Sequence, residues 1–248
     1  MHGRADRGTL AGMTVQGTAQ HRPEQPGRGP APSVGIPPVV AFVAAAVAVP
    51  ELVLQAADAG LVGTPLWRPL SYHYGAFWAG LLHGWRPNFA LQPATMFLTH
   101  AFLHAGLAHL AGNVLALLAF GRLCAARLSH SRFLLLCLAC VLAGGAGFGI
   151  LASSPRPMVG ASGLVSGLVG AWAVWFAQDH DRLRHRAAVS LLRFVAVTAG
   201  VVVLNLLMHL FLAGGMAWEA HLGGFLAGAF LAAAWHGKQT GGPKAARE

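Results

Sequence analysis

Apolar residues do not alternate with polar ones along most of this chain but run unbroken, and the breaks between the runs carry the charges. Runs free of Asp, Glu, Lys and Arg extend from Phe133 to Ala152, from Phe194 to Trp218 and from Ala220 to Gly237. A bilayer crossing takes about 20 such residues as a helix, so the pattern predicts six spans: 36–57, 105–123, 132–152, 161–178, 190–213 and 218–236. Residues 1–33, rich in Gly, Arg, Pro, Gln and Thr without an apolar run, predict a disordered tail. A secretory signal does not fit that tail, because the first apolar run begins only near Ile36 and lacks a cleavage pattern.

One segment is ambiguous by pattern alone. Pro69 to Trp85 is uncharged and long enough to suggest a seventh span, yet it holds Tyr72, His73, Tyr74, Trp78, His83 and Trp85. Amphipathic rings of this kind settle at the membrane interface, which predicts a structure lying there. The basic residues give an independent test, since Lys and Arg accumulate on the cytoplasmic side. With six spans and the N-terminus inside, the inner side receives Arg4, Arg7, Arg22, Arg28, Arg122, Arg127, Arg132, Arg182, Arg184, Arg186, Arg193, Lys238, Lys244 and Arg247. Only Arg68, Arg86 and Arg156 are left outside. A seventh span would turn the Arg122–Arg132 cluster outward, so six is the preferred count, with both termini cytoplasmic and a short C-terminal tail at 238–248.

Composition agrees. Of 248 residues 55% are hydrophobic and 10% charged, against roughly 25% charged in a soluble domain. The net charge of +9 does not mark a nucleic-acid binder, because the basic residues are scattered between spans and stripe no helix face. Cys124, Cys137 and Cys140 lie in or beside apolar runs with no second cluster to complete a metal site, and read as small packing residues. Arg in excess of Lys, with abundant Ala and Gly, suggests a GC-rich bacterial genome and hence the bacterial inner membrane.

In this topology spans two, four and six all enter from the outer face, so residues early in each share one depth. Span two opens with His104, His109 and Asn113, span four with Ser162, and span six with Glu219 and His221. Ionisable groups in lipid are costly and usually face a bundle interior or a wet cavity, so their convergence points to a site open to the outside. Gly163, Gly167 and Gly170 on span four and Gly224 and Gly228 on span six are small residues at helical spacing that permit close backbone approach. His221 falls on the glycine stripe of its own helix, and Ser162 beside that of span four.

An alcohol becomes a good nucleophile when a base within hydrogen-bond reach takes its proton, and imidazole is the usual base near neutral pH. Ser162 and His221 supply both. The oxyanion formed on attack needs fixed donors, each of which can contribute about 2.7–4 kcal/mol. His109 and Asn113, four apart on one helical face, are the candidates, whereas His104 lies about 140° from His109 on an ideal helix and reads as a brace for the preceding loop. His209 and Asn205 on span five are assigned interhelical hydrogen bonding. His73, His83 and His100 are taken as incidental, and no metal or other cofactor is expected.

Three motifs together resemble the rhomboid family of intramembrane serine proteases. FLHAGLAHLAGN (Phe102 to Asn113) is similar to that family's second-span HxxxxHxxxN pattern, GASG (Gly160 to Gly163) to its GxSG nucleophile motif, and AHLGG (Ala220 to Gly224) to its base-bearing sixth span. The resemblance implies an all-α six-helix bundle over 34–237 with a membrane-embedded loop between helices one and two. It implies a dyad of Ser162 and His221, an oxyanion held by His109, Asn113 and the Ser162 backbone N–H, and structural roles nearby for His104, Gly160, Gly163 and Gly224. Transmembrane proteins within the lipid bilayer would be the substrates; the oligomeric state is left open.

This sequence departs from the family's pattern at three places. Thr95-Met96 stand where a Trp-Arg pair often precedes the first motif histidine, and Trp85-Arg86 occur ten residues earlier. Ala125 stands where an acidic residue often ends an FGxxxE pattern, and Ser166 where an aromatic often packs on the base. Two other function classes compete: an inactive rhomboid-like protein that binds and escorts transmembrane helices, and a bis-histidine haem or metal protein, which requires histidines facing each other in pairs.

Overall fold

A computed structural model describes residues 35–153, 155–184, 191–200, 202–203 and 216–239. The expected tail at 1–33, the C-terminal tail after Gln239, and Asn205 and His209 lie outside the described residues. The described elements are helical: α1 (Pro38–Asp58), α2 (Trp67–Gly75), α3 (Gln92–Thr99), α4 (Leu107–Ala125), α5 (His130–Leu151), α6 (Ser162–Arg184), the segment α7 (Leu191–Gly200) and α8 (Trp218–Gln239). Pro37 and Pro38 open α1, where a missing N–H costs nothing. Ser129 caps α5 by accepting from the Arg132 N–H at 3.4 Å.

Among the described residues, α1, α4 and α5 are long and apolar enough to cross a membrane. Helices α6 and α8 are as long, with 23 and 22 residues, or about 33–35 Å at 1.5 Å per residue. Their glycines and polar groups make them less apolar. Between Arg68 and Arg86 there is no continuous helix: α2 ends at Gly75, Phe77 pairs with Met158 in an isolated antiparallel bridge, and a 3-10 turn follows at Ala79–Leu82.

The central core joins α1, α4, α5 and α6 through Val40, Leu117, Phe133, Leu136, Cys140 and Leu168. Cys124, Cys137 and Cys140 are all buried there and unbridged. Large apolar side chains also face outward, among them Leu115, Leu135, Ile150, Leu226 and Phe230, as lipid-facing positions do. Where lipid replaces water, hydrophobicity does not drive helices together, and close packing of small residues takes over. Helix α8 meets this condition on two sides. A methyl at Gly223 would overlap the Ala143 carbonyl of α5, and one at Gly224 or Gly228 would overlap the Gly163 or Gly167 carbonyl of α6.

An aromatic of the loop between α1 and α4 anchors it on α5. Phe77, fully buried, lies on the glycine face of α5 made by Gly145 and Gly149, with Phe97, Phe148 and His100 around it at centroid distances of 4.9, 5.8 and 5.8 Å. Such edge-to-face pairs contribute about 0.5–1.5 kcal/mol each. Met96, at one of the departures noted in the sequence, fills the same cluster.

Candidate active site

Helix α6 begins at Ser162, so the first N–H groups of the helix, with their partial positive charge, open at that residue. The chain reaches Ser162 through a segment held from two sides. Phe77 and Met158 exchange backbone hydrogen bonds of 2.9 Å each, and the Gly160 N–H donates to the His100 carbonyl at 2.9 Å. The Ala161 N–H donates to Nε2 of His104 at 3.4 Å. His104 thus braces the segment that enters α6, rather than only the loop that precedes it. Burial, reinforced by neighbouring His109, holds the His104 ring down to about 4, and burial alone holds His100 down to about 4, so both are neutral at neutral pH.

Gly160 has φ +123°, a backbone state that side chains resist, and it is also where the space runs out. A β-carbon there would lie 3.0 Å from His109 Nε2 and 3.8 Å from Asn113 Nδ2. These two side chains, one turn apart on α4, therefore meet at the residue two before Ser162. The tautomer of His109 follows from its other nitrogen: Nδ1 accepts the Ala105 N–H at 3.3 Å, which leaves the proton on Nε2. Asn113 Nδ2 also donates to the His109 carbonyl at 3.1 Å. Two N–H donors thus lie beside Gly160.

His221 sits in the first turns of α8, where α8 and α6 touch backbone to backbone. Gly163 is set against the Ala220 carbonyl, with a β-carbon there only 3.3 Å from that oxygen. Ser162 and His221 are each one residue from this contact. The structure thus brings the α4, α6 and α8 residues to one end of the bundle. Ser166, one turn below Ser162, is half-buried.

A polar cluster beside this site was not anticipated. Glu51 in α1 is fully buried, and Arg68 grips it as a fork, Nη1 on Oε2 and Nη2 on Oε1, each at 3.0 Å. Gln55 donates to Glu51 Oε1 at 2.8 Å, and Arg68 Nε donates to Asp58 at 2.6 Å. Glu51 foremost holds the Arg68 guanidinium firmly in its charged form. Arg68 Nη1 and the Tyr72 hydroxyl both donate to the His104 carbonyl, at 3.2 and 2.6 Å. Arg68, not the Trp85-Arg86 pair, ties the loop down: Trp85 packs on Gly80 and Trp78, and Arg86 is exposed. The one advance signal for the cluster was a carboxylate inside an otherwise apolar span.

His83 and His100 have structural partners, the Gly149 carbonyl at 3.2 Å and the Met96 carbonyl at 2.8 Å. On the opposite side, Arg127 pairs with Asp179 and lies 5.7 Å from the Trp175 ring, which links the end of α4 to α6.

The family model described as the Rhomboid domain matches residues 91–238. Rhomboid protease GluP of Bacillus subtilis (strain 168) is 33% identical over 137 residues, which are 55% of this chain and 25% of that protein. The chain therefore spans about a quarter of the length of this curated relative.

Proposed function

Since the chain belongs to the rhomboid family and is an integral membrane protein, we propose that it is an intramembrane serine endopeptidase that cuts transmembrane proteins in or near their spans. The observation that carries this reading is the meeting of His109 Nε2 and Asn113 Nδ2 at Gly160, two residues before a serine that opens a helix. In the proposed reaction His221 takes the Ser162 hydroxyl proton as Oγ attacks the scissile carbonyl. The oxyanion accepts from His109, Asn113 and the Ser162 N–H. The C–N bond then breaks, His221 returns the proton to the leaving amine, and water hydrolyses the acyl-enzyme by the same route in reverse. The chain's own residues supply each of these roles, and the scheme calls on no metal or cofactor.

The accompanying topology is a six-span domain over 34–237 with both termini cytoplasmic, in a bacterial inner membrane. Helices α1, α4, α5, α6 and α8 and the segment α7 supply the spans, and 67–106 is the membrane-embedded loop. The test is labelling by a serine-directed fluorophosphonate together with cleavage of a transmembrane reporter by the purified protein. Both should be present in the wild type and lost in Ser162→Ala and His221→Ala. A wild type that neither labels nor cleaves rejects the protease. If it still binds transmembrane helices, it is instead an inactive rhomboid-like escort.

A further inference from the structure

The Glu51–Arg68–Tyr72 cluster ends on a peptide group that also reaches the proposed oxyanion site. We propose that Arg68 and Tyr72 are positioning residues that set the tautomer of His109 through the peptide joining His104 to Ala105. The inference rests on the reading of His109 as an oxyanion donor.

The geometry is a relay across one planar unit. The oxygen of this peptide accepts from Arg68 Nη1 at 3.2 Å and from the Tyr72 hydroxyl at 2.6 Å. Its nitrogen donates to His109 Nδ1 at 3.3 Å. A trans peptide keeps C=O and N–H in one plane and pointing opposite ways, so holding the oxygen aims the N–H. A cation on the oxygen also polarises the group and strengthens the donor at its other end.

The consequence falls on the far side of the imidazole. A neutral ring has one donor and one acceptor nitrogen, so an N–H delivered to Nδ1 keeps the proton on Nε2, the nitrogen beside Gly160. With the peptide released, the other tautomer would turn a lone pair toward the oxyanion, and a donor would become a repulsive group. Two features make the cluster suited to this task. Arg68 is locked by the two-point fork on buried Glu51, and burial pushes the Tyr72 phenol up, so that it keeps the proton it donates.

The experiment uses the full-length protein in detergent micelles with 15N-labelled histidine. The His109 ring resonances are assigned by their loss in His109→Gln, and kcat and KM are measured on a transmembrane reporter. The wild type should show His109 protonated on Nε2. Tyr72→Phe keeps the ring and deletes one hydrogen bond; it should populate the Nδ1-protonated form and lower kcat about threefold to tenfold, with KM within about twofold. Arg68→Met should do both more strongly. A wild-type His109 protonated on Nδ1 overturns the proposal, as does an unchanged tautomer in Tyr72→Phe, whether or not kcat falls. If the wild type cleaves no reporter, the protease reading fails, and the tautomer comparison still decides the role of Arg68 and Tyr72.

Discussion

Gly160 stands against the His109 imidazole, so close that a methyl group there would come within 2.7 Å of Cε1. The same residue holds φ at +123°, a conformation that costs a non-glycine residue about 1–3 kcal/mol. Gly160→Ala is therefore expected to move His109 and the start of α6 together. Turnover of a transmembrane reporter should fall at least about tenfold and the midpoint of thermal unfolding by several degrees. Unchanged turnover would remove Gly160 from the site.

Asn113→Ala deletes one N–H donor while leaving Ser162 and His221 in place. Removal of a single oxyanion donor typically costs about 10²–10³ in kcat. The expected result is that loss with KM little altered and with fluorophosphonate labelling slowed rather than abolished. A rise in KM alone would assign Asn113 to substrate binding instead.

How far the site can be read from the chain depends on the distance over which each contact is made. His109 and Asn113 are one helical turn apart, so periodicity alone sets them on one face; Gly163 and Gly224 are small residues at positions where only small residues pack. The grip of Arg68 on Glu51 is of another kind. It spans 17 residues of chain that include a loop of irregular backbone, and no repeat in the sequence says where such a loop will return. The bridge of Phe77 to Met158 is hidden for the same reason. It joins segments 81 residues apart through main-chain groups, which every residue carries.

Gly224→Ala tests the seam between α6 and α8. The added methyl would overlap the Gly163 carbonyl, and overpacking of this kind typically costs about 1–3 kcal/mol. Thermal unfolding in detergent should report that loss, and turnover should fall further than stability does, because Ser162 adjoins the displaced contact. Leu222→Ala, on an exposed position of the same helix, should leave both nearly unchanged.

Acid should loosen the fold through His100 and His104. Both rings are held down to about 4 from an ordinary 6.5, so between those values the unfolded chain binds more protons and stability rises with pH. Their contribution is complete above about 6.5 and is lost as pH falls toward about 4. The unfolding midpoint in detergent should drop between about pH 7 and pH 5, and His100→Gln should flatten that slope. An equal slope in the variant rules out His100 as a source.

Arg127→Ala should matter little despite the cation–π and ion-pair contacts. Both partners of the pair are more than one-third exposed, at 37% and 42%, and exposed pairs contribute about 0–1 kcal/mol. Turnover within about twofold of wild type is expected; a tenfold loss would show that this end of α6 is coupled to Ser162.

The main-chain contacts that Gly223, Gly224 and Gly228 of α8 make with α5 and α6 have a bearing on how this protein can drift. Where helices meet through carbonyl oxygens and α-carbons, their spacing is set by main-chain dimensions, which mutation elsewhere leaves alone. Leu222, Leu226 and Phe230 on the outer surface of α8 are 41%, 57% and 72% exposed. They can be exchanged to suit a thicker, thinner or differently composed bilayer while the Gly163–Gly224 seam keeps its dimensions. One face of the helix is free to follow its solvent, and the other works as a fixed gauge.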